Sequence, residues 1–120
     1  MPKVMLIEDN ANVFSLLLML LEFEGYEVVH WEGGEQVEEV LSLIRQEQPS
    51  LVLLDVNLRH LSGFEILHAL RKDPGLKDTR VLMASGMDLT YRSRQEGADG
   101  FITKPFVPDE LIQTIQETIG

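Results

Sequence analysis

Five short apolar runs recur along the chain, each followed by a longer stretch in which apolar residues return every three or four positions. A run that is apolar at nearly every position is buried on both faces. Strands of that kind alternating with amphipathic helices form a parallel sheet covered by helices on both sides. The pattern predicts strands at Lys3–Ile7, Tyr26–His30, Leu51–Leu54, Arg80–Ala84 and Gly100–Ile102. Helices are expected near Asn10–Glu24, Gly34–Gln46, Gly63–Lys72, Asp88–Glu96 and Pro108–Ile119. Chain breakers fall at the joins: Gly25, Pro49, Pro74-Gly75 and Gly97 follow the first four helices in turn. No linker, repeat or low-complexity tract is left over, so residues 1–120 read as one domain, long enough to build a core without staples.

Charge and composition narrow the function classes. Ten Lys and Arg against twenty Asp and Glu give a formal net charge of −10, which opposes contact with nucleic acid or an anionic membrane surface and favours protein partners. There is no cysteine, hence no disulfide framework and no thiolate metal site, and a reducing cytoplasm fits. The first residues run straight into an apolar strand without a charged leader region, so no secretory signal is expected. The longest apolar stretch, Val13 to Leu21 interrupted by Ser15, falls well short of the roughly 20 residues that span a bilayer.

Right-handed crossovers between parallel strands put all strand C-termini on one edge, where the residues that follow share a crevice. Glu8-Asp9 follow the first strand, Asp55 the third, Ser85 the fourth, and Lys104 lies just past the fifth. Carboxylates gathered there repel one another by roughly 4 kcal/mol per pair at 4 Å in an effective dielectric near 20, unless a cation neutralises them. Oxygen ligands without His or Cys suit Mg²⁺, which takes one or two carboxylates plus a phosphate oxygen. Phosphate chemistry follows: a carboxylate can be the nucleophile that forms an acyl phosphate while a lysine and a metal ion absorb charge, and Asp55 is placed for that role.

Glu8-Asp9 after VMLI, the segment LVLLDVNLRHLSGFEIL with Gly63 eight residues past Asp55, the run VLMASG, and GADGFITKPF together resemble the receiver domain of two-component response regulators, over essentially the whole chain. The resemblance implies a doubly wound five-stranded parallel sheet in order 2-1-3-4-5 with five helices, a flavodoxin-like three-layer sandwich whose site lies at the switch point between strands one and three. It implies that Asp55 is the phosphoacceptor, served by a histidine kinase or phosphotransfer protein. Asp9, Asp55 and the backbone carbonyl of Asn57 would bind Mg²⁺, with Glu8 helping through water. Ser85 and Lys104 would hold phosphoryl oxygens, the peptide to Pro105 would be cis, and the aromatic Phe101 would change rotamer as the Ser85 hydroxyl moves.

Several positions depart from that pattern. Arg59 stands where the family usually has proline, and either loosens the loop or adds a contact. Ser85 and Lys104 are only 19 apart, which shortens the fourth helix or its leading loop by nearly a turn. The usual dimer contacts are therefore not carried over, and homodimerisation stays open. Met87 offers no group to orient a hydrolytic water, which predicts slow loss of the phosphoryl group. On a helical wheel Val13, Leu16, Leu17 and Leu20 cover the core side of the first helix, leaving Phe14, Leu18 and Met19 on its flanks, as a wide buried stripe or as a docking ridge for a kinase helical bundle. Trp31 lies on the same sheet edge as the acidic pocket and reads as partial packing between helices. His30, His60 and His68 lack the spacing of a metal pair and read as structural or surface residues. Three other functions are weaker. An aspartyl-phosphate phosphatase or phosphotransferase would need a cap that this chain has no residues to build. An FMN module would place Glu-Asp-Asn against the FMN phosphate. A receiver-like interaction module that is never phosphorylated would leave the chemical residues without a role.

Overall fold

The computed structural model describes residues 2–31 and 33–120. The elements run β1 Lys3–Ile7, α1 Ala11–Phe23, β2 Glu27–His30, α2 Val37–Glu47, β3 Leu51–Asp55, α3 Gly63–Lys72, β4 Val81–Ser85, α4 Thr90–Gln95, β5 Gly100–Thr103 and α5 Pro108–Ile119. The five strands form one sheet in the order β2-β1-β3-β4-β5, every pair parallel. Alternation along the strands divides the core in two. Met5, Ile7, Val52, Leu54 and Met83 pack with Val40, Ile44 and Leu67 of α2 and α3. Val4, Leu6, Leu53 and Leu82 pack with Leu17 and Leu21 of α1 and with Leu111 and Ile115 of α5. Each such side chain, fully withdrawn from water, stabilises the fold by roughly 1.5–3 kcal/mol before the entropy of ordering is counted.

Helix starts follow local hydrogen bonding. Asn10 Oδ1 accepts from the backbone N–H groups of Asn12 and Val13, both at 3.0 Å, so α1 begins after Asn10 rather than on it. Ser62 Oγ accepts from Phe64 N–H at 3.2 Å and starts α3 at Gly63, as the sequence predicts. The second helix starts at Val37, three residues later than expected, because Gln36 is extended and its N–H donates to Glu39 Oε1 at 3.2 Å. Asp88 lies ahead of α4 instead of inside it: its carboxylate accepts from Thr90 N–H and Oγ1–H at 3.1 and 2.7 Å. α4 has six residues, in line with the short spacing read from the sequence. β3 and β4 each run one residue further than expected, so Asp55 and Ser85 are the last residues of strands rather than the first of loops.

The rotation of α1 differs from the wheel. Leu17 and Leu21 are its buried residues, and Leu16, expected in the core, is 43% exposed. Leu16, Met19 and Phe23 instead form an outward apolar row at helical spacing. Trp31 is buried, more fully than partial packing would give, within the core layer on the α2–α3 side. Among the described residues no helix is long and apolar enough to cross a membrane.

Candidate functional site

Strand register brings the chemical residues together. Ile7 pairs with Leu54, Asp55 with Ala84, and Ser85 with Thr103, so β1, β3, β4 and β5 end side by side. The ladder continues one step past the strands: Val56 N–H donates to Ala84 O at 2.9 Å and Lys104 N–H to Ser85 O at 2.8 Å. Side chains at these ends are thus aimed by backbone bonds within a sheet, the stiffest support the fold offers. The Lys104-Pro105 peptide is cis.

Lys104 Nζ donates to Glu8 Oε1 at 2.5 Å and to Asp55 Oδ2 at 3.0 Å. Glu8 is nearly fully buried and Asp55 largely so, while Asp9 is half-exposed. Asp55 Oδ1 accepts from the N–H of Asn57 at 3.2 Å, and Glu8 Oε2 accepts from Asn10 N–H at 3.2 Å. Burial pushes the Glu8 carboxyl above its ordinary range and the charge of Asp55 adds to this, against the hydrogen bonds from Lys104 and Asn10. For Lys104, burial alone would lower the ammonium, but its bonds to Glu8 and Asp55 outweigh that and hold it above its ordinary value.

Carboxylate oxygens of Glu8, Asp9 and Asp55 lie within 4.8 Å of one another. This donor set is oxygen only, and the half-exposed Asp9 leaves room for water, which fits a hard divalent ion that keeps part of its hydration shell. One ammonium shared by two buried carboxylates also leaves the cluster net negative, so a cation is the natural complement.

Every residue expected at the site is near this edge. Ser85 Oγ, buried, accepts from Met87 N–H at 3.2 Å and lies 3.5 Å from Asn57 Nδ2. Phe101 on β5 is half-buried and packs against the core layer on the α2–α3 side, so it serves as core aromatic and borders solvent at once. Gly63 is required: a Cβ there would meet Asp55 O at 2.4 Å and Val56 Cα at 2.8 Å, inside any tolerable contact.

Three further contacts shape this edge. Arg59 N–H donates to Asp9 Oδ2 at 2.5 Å, a bond that proline at this position could not make. The departure from proline was therefore a legible signal, and of the two expected outcomes it resolves to an added contact. His30 Nε2 lies 3.2 Å from Glu8 O and its ring stacks on Phe14 with centroids 3.6 Å apart, which fixes the end of β1 from the β2 side. Beside these residues a cavity of 250 Å³ is bounded by Glu8, Asp9, Phe14, His30, Trp31 and Arg59, among others.

The sheet order, the carboxylate cluster with its lysine, and the hydroxyl at the end of β4 define a phosphoacceptor module of two-component signalling. Residues 4–116 match the family model for the response regulator receiver domain, and the chain belongs to that family. It is 34% identical to the polar-differentiation response regulator DivK of Brucella anthropi, across 100% of this chain and 98% of that protein. Among solved structures it resembles the chemotaxis response regulator CheY4 of Vibrio cholerae (27% identity, TM-score 0.86, 98% of each chain). It also resembles a CheY-like receiver domain protein of Methanospirillum hungatei (29% identity, TM-score 0.82, 99% of this chain and 94% of that one). Receiver domains are signalling phosphoacceptors rather than enzymes in the usual sense, and they take their phosphoryl groups from histidine kinases or phosphotransfer proteins. They bind Mg²⁺ at an acidic pocket, and Glu8, Asp9 and Asp55 form such a pocket here.

Proposed function

We propose that residues 1–120 act in the cytoplasm as a single receiver in which Asp55 takes a phosphoryl group from a phosphohistidine. The observation that carries this reading is the carboxylate of Asp55 held between Lys104 Nζ and Asn57 N–H, with Glu8 and Asp9 beside it. A carboxylate oxygen of Asp55 attacks phosphorus in line, the phosphorus–nitrogen bond breaks, and its electron pair returns to the imidazole nitrogen. Asn57 N–H and Lys104 fix the carboxylate before attack, so the chain supplies part of its own catalysis by positioning and charge. Lys104 and the Ser85 hydroxyl hold oxygens of the transferred group. Asp9, Asp55 and the Asn57 carbonyl would hold Mg²⁺, with Glu8 acting through water; when bound, the ion neutralises charge on the transferring group. Movement of Ser85 toward the phosphoryl group makes room for Phe101 to change rotamer, and so alters the surface around β5.

The row Leu16, Met19 and Phe23 runs along α1, whose first residue follows the acidic pair by two positions, and it offers the phosphodonor an apolar docking surface. Replacing Met19 and Phe23 by Glu should slow transfer from a phosphotransfer protein and leave uptake from a small donor unchanged.

Incubation with Mg²⁺ and a small acyl-phosphate donor, followed by intact mass, tests the main reading. Wild type gains one phosphoryl group and Asp55→Asn gains none. If wild type stays unmodified with every donor while Trp31 fluorescence still registers Mg²⁺, the chain is a binding module that is never phosphorylated.

A further inference from the structure

Two settings of arginine stand out in this chain. Arg45, Arg71 and Arg80 donate to carboxylate or carbonyl oxygens. Arg92 on α4 lies instead with its guanidinium carbon 4.2 Å from the centroid of the Phe64 ring, and its guanidinium has no ion pair or hydrogen bond among the described residues. Phe64 stands in the first turn of α3, directly after the Gly63 that packs on the Asp55 carbonyl. Between this arginine and the acceptor loop lies a cavity of 390 Å³, bounded by Asn57, Arg59, His60, Ser62, Phe64 and Arg92 among others, with no carboxylate in its walls. Asn57 is the residue whose N–H holds Asp55 Oδ1. A chain of net charge −10 thus turns a cationic wall without a carboxylate partner toward the loop that follows its proposed phosphoacceptor.

We propose that Arg92 reads the phosphoryl group: once Asp55 is loaded, the guanidinium leaves the Phe64 ring, crosses this cavity to pair with phosphoryl oxygens, and draws α4 with it. The inference rests on Asp55 being the acceptor. Loading adds about two negative charges beside Asp55. Even with a bound divalent ion, the single ammonium of Lys104, shared by Glu8 and Asp55, leaves the loaded carboxylate cluster net negative. The solvent-exposed Arg92 guanidinium, resting on the buried Phe64 ring, is held by one of the weaker attractions available to it, whereas its planar fork makes strong two-point pairs with phosphoryl oxygens. The hydrogen bonds that tie this region to α3 fall past the C-terminal end of α4, His68 with Glu96 and Arg71 Nε with Gly97 O at 2.9 Å, so none of them pins its first turn.

The test uses the full chain labelled with ¹⁵N, with Mg²⁺ and beryllofluoride as the phosphoryl stand-in. Three signals are followed: the Asn57 amide, the Arg92 Nε–H, and the ring protons of Phe64. In wild type all three should shift, together with the α4 amides. In Arg92→Gln the Asn57 amide should still shift, the α4 amides should stay in place, and half-saturation should need about tenfold more beryllofluoride, as expected for one charge-assisted pair. Arg92→Lys should restore part of that affinity. If Asn57 shifts in wild type while Arg92 Nε–H and Phe64 do not, or if α4 responds unchanged in Arg92→Gln, Arg92 is not the reader. If Asn57 itself does not shift, the acceptor reading fails and this inference falls with it.

Discussion

At the strand ends each candidate functional side chain is aimed by the backbone ladder, whereas α4 has no ladder: it packs beside β5 and is tied by side chains that reach across from α3. Asp55 and Ser85 close strands paired on both sides, and Lys104 follows directly on the pairing of Ser85 with Thr103. α4 depends on Arg92 over Phe64, on His68 with Glu96, and on Arg71, which donates to Gly97 O, Lys77 O, Thr79 O and Asp99 Oδ2. The difference separates two tasks. Phosphoryl transfer needs groups held to within a fraction of an ångström, and a sheet edge gives that. A readout needs an element with more than one arrangement of similar free energy, which a short helix on side-chain ties can supply.

The comparison breaks most sharply at Gly63, which packs on the end of β3 and directly precedes the Phe64 that carries Arg92 of α4. Any Cβ must displace the backbone of Asp55 and Val56, not a yielding side chain. Gly63→Ala should therefore cost about 3 kcal/mol, at the upper end for overpacking, read as a lower urea midpoint at unchanged slope. The surviving folded protein should also take up phosphoryl groups more slowly. Normal uptake in a destabilised variant would mean that the acceptor tolerates movement and that the strand end need not be held so closely.

Met87 tests the same edge from the α4 side. It is 65% exposed, its N–H donates to Ser85 Oγ, and its thioether offers nothing to orient a water toward a phosphoryl group on Asp55. Met87→Glu should shorten the phosphoryl half-life by roughly threefold to tenfold, less than a fully positioned acid–base group achieves. An unchanged or longer half-life would remove the hydrolytic account of this position.

Ser93 probes how firmly α4 is seated. Its hydroxyl is fully buried and has no hydrogen-bond partner among the described residues. Removing an unsatisfied buried hydroxyl while gaining helix propensity should make Ser93→Ala more stable by about 1 kcal/mol in urea unfolding. If the helix must shift to respond, the same substitution should also weaken the response of α4 to beryllofluoride. A loss of stability instead would show that the hydroxyl is satisfied by water and that α4 is better anchored than its contacts suggest.

Much of the strand-end region was legible in the sequence, and much of α4 was not. Strands buried on both faces announce themselves as apolar runs, and their order along the chain dictates which residues reach the edge. The rotation of α1 is not legible because the helix is apolar nearly all round, with Glu22 its one charged residue, so no polar face fixes the wheel. The Asp9 contact of Arg59 comes from a backbone N–H that any residue but proline offers, so only the missing proline hinted at it. The ties of α4 come from residues far away in sequence, as with His68 and Glu96, 28 positions apart. Spacing revealed that the helix is short but not what holds it.

The smallest effect lies away from both regions and supplies their baseline. At the C-terminal end of α3, Asp73 Oδ2 accepts from Arg45 of α2 at 2.6 Å. The Arg45 guanidinium, with the Gly75 N–H, holds the Asp73 carboxyl below its ordinary value of 3.8. A carboxyl lowered in the folded state adds stability that is fully present above that ordinary value and is lost as pH falls through the folded one. Asp73→Asn should therefore lower the urea midpoint slightly at pH 7, and the gap should close as pH drops below about 4. The pair is open to solvent, so high salt should narrow the gap at pH 7 as well. Neither change should alter phosphoryl uptake at Asp55 or the beryllofluoride response of α4. If either moved with Asp73, α3 would be transmitting strain along its whole length, and the division between a rigid strand edge and a loosely tied α4 would have to include α2.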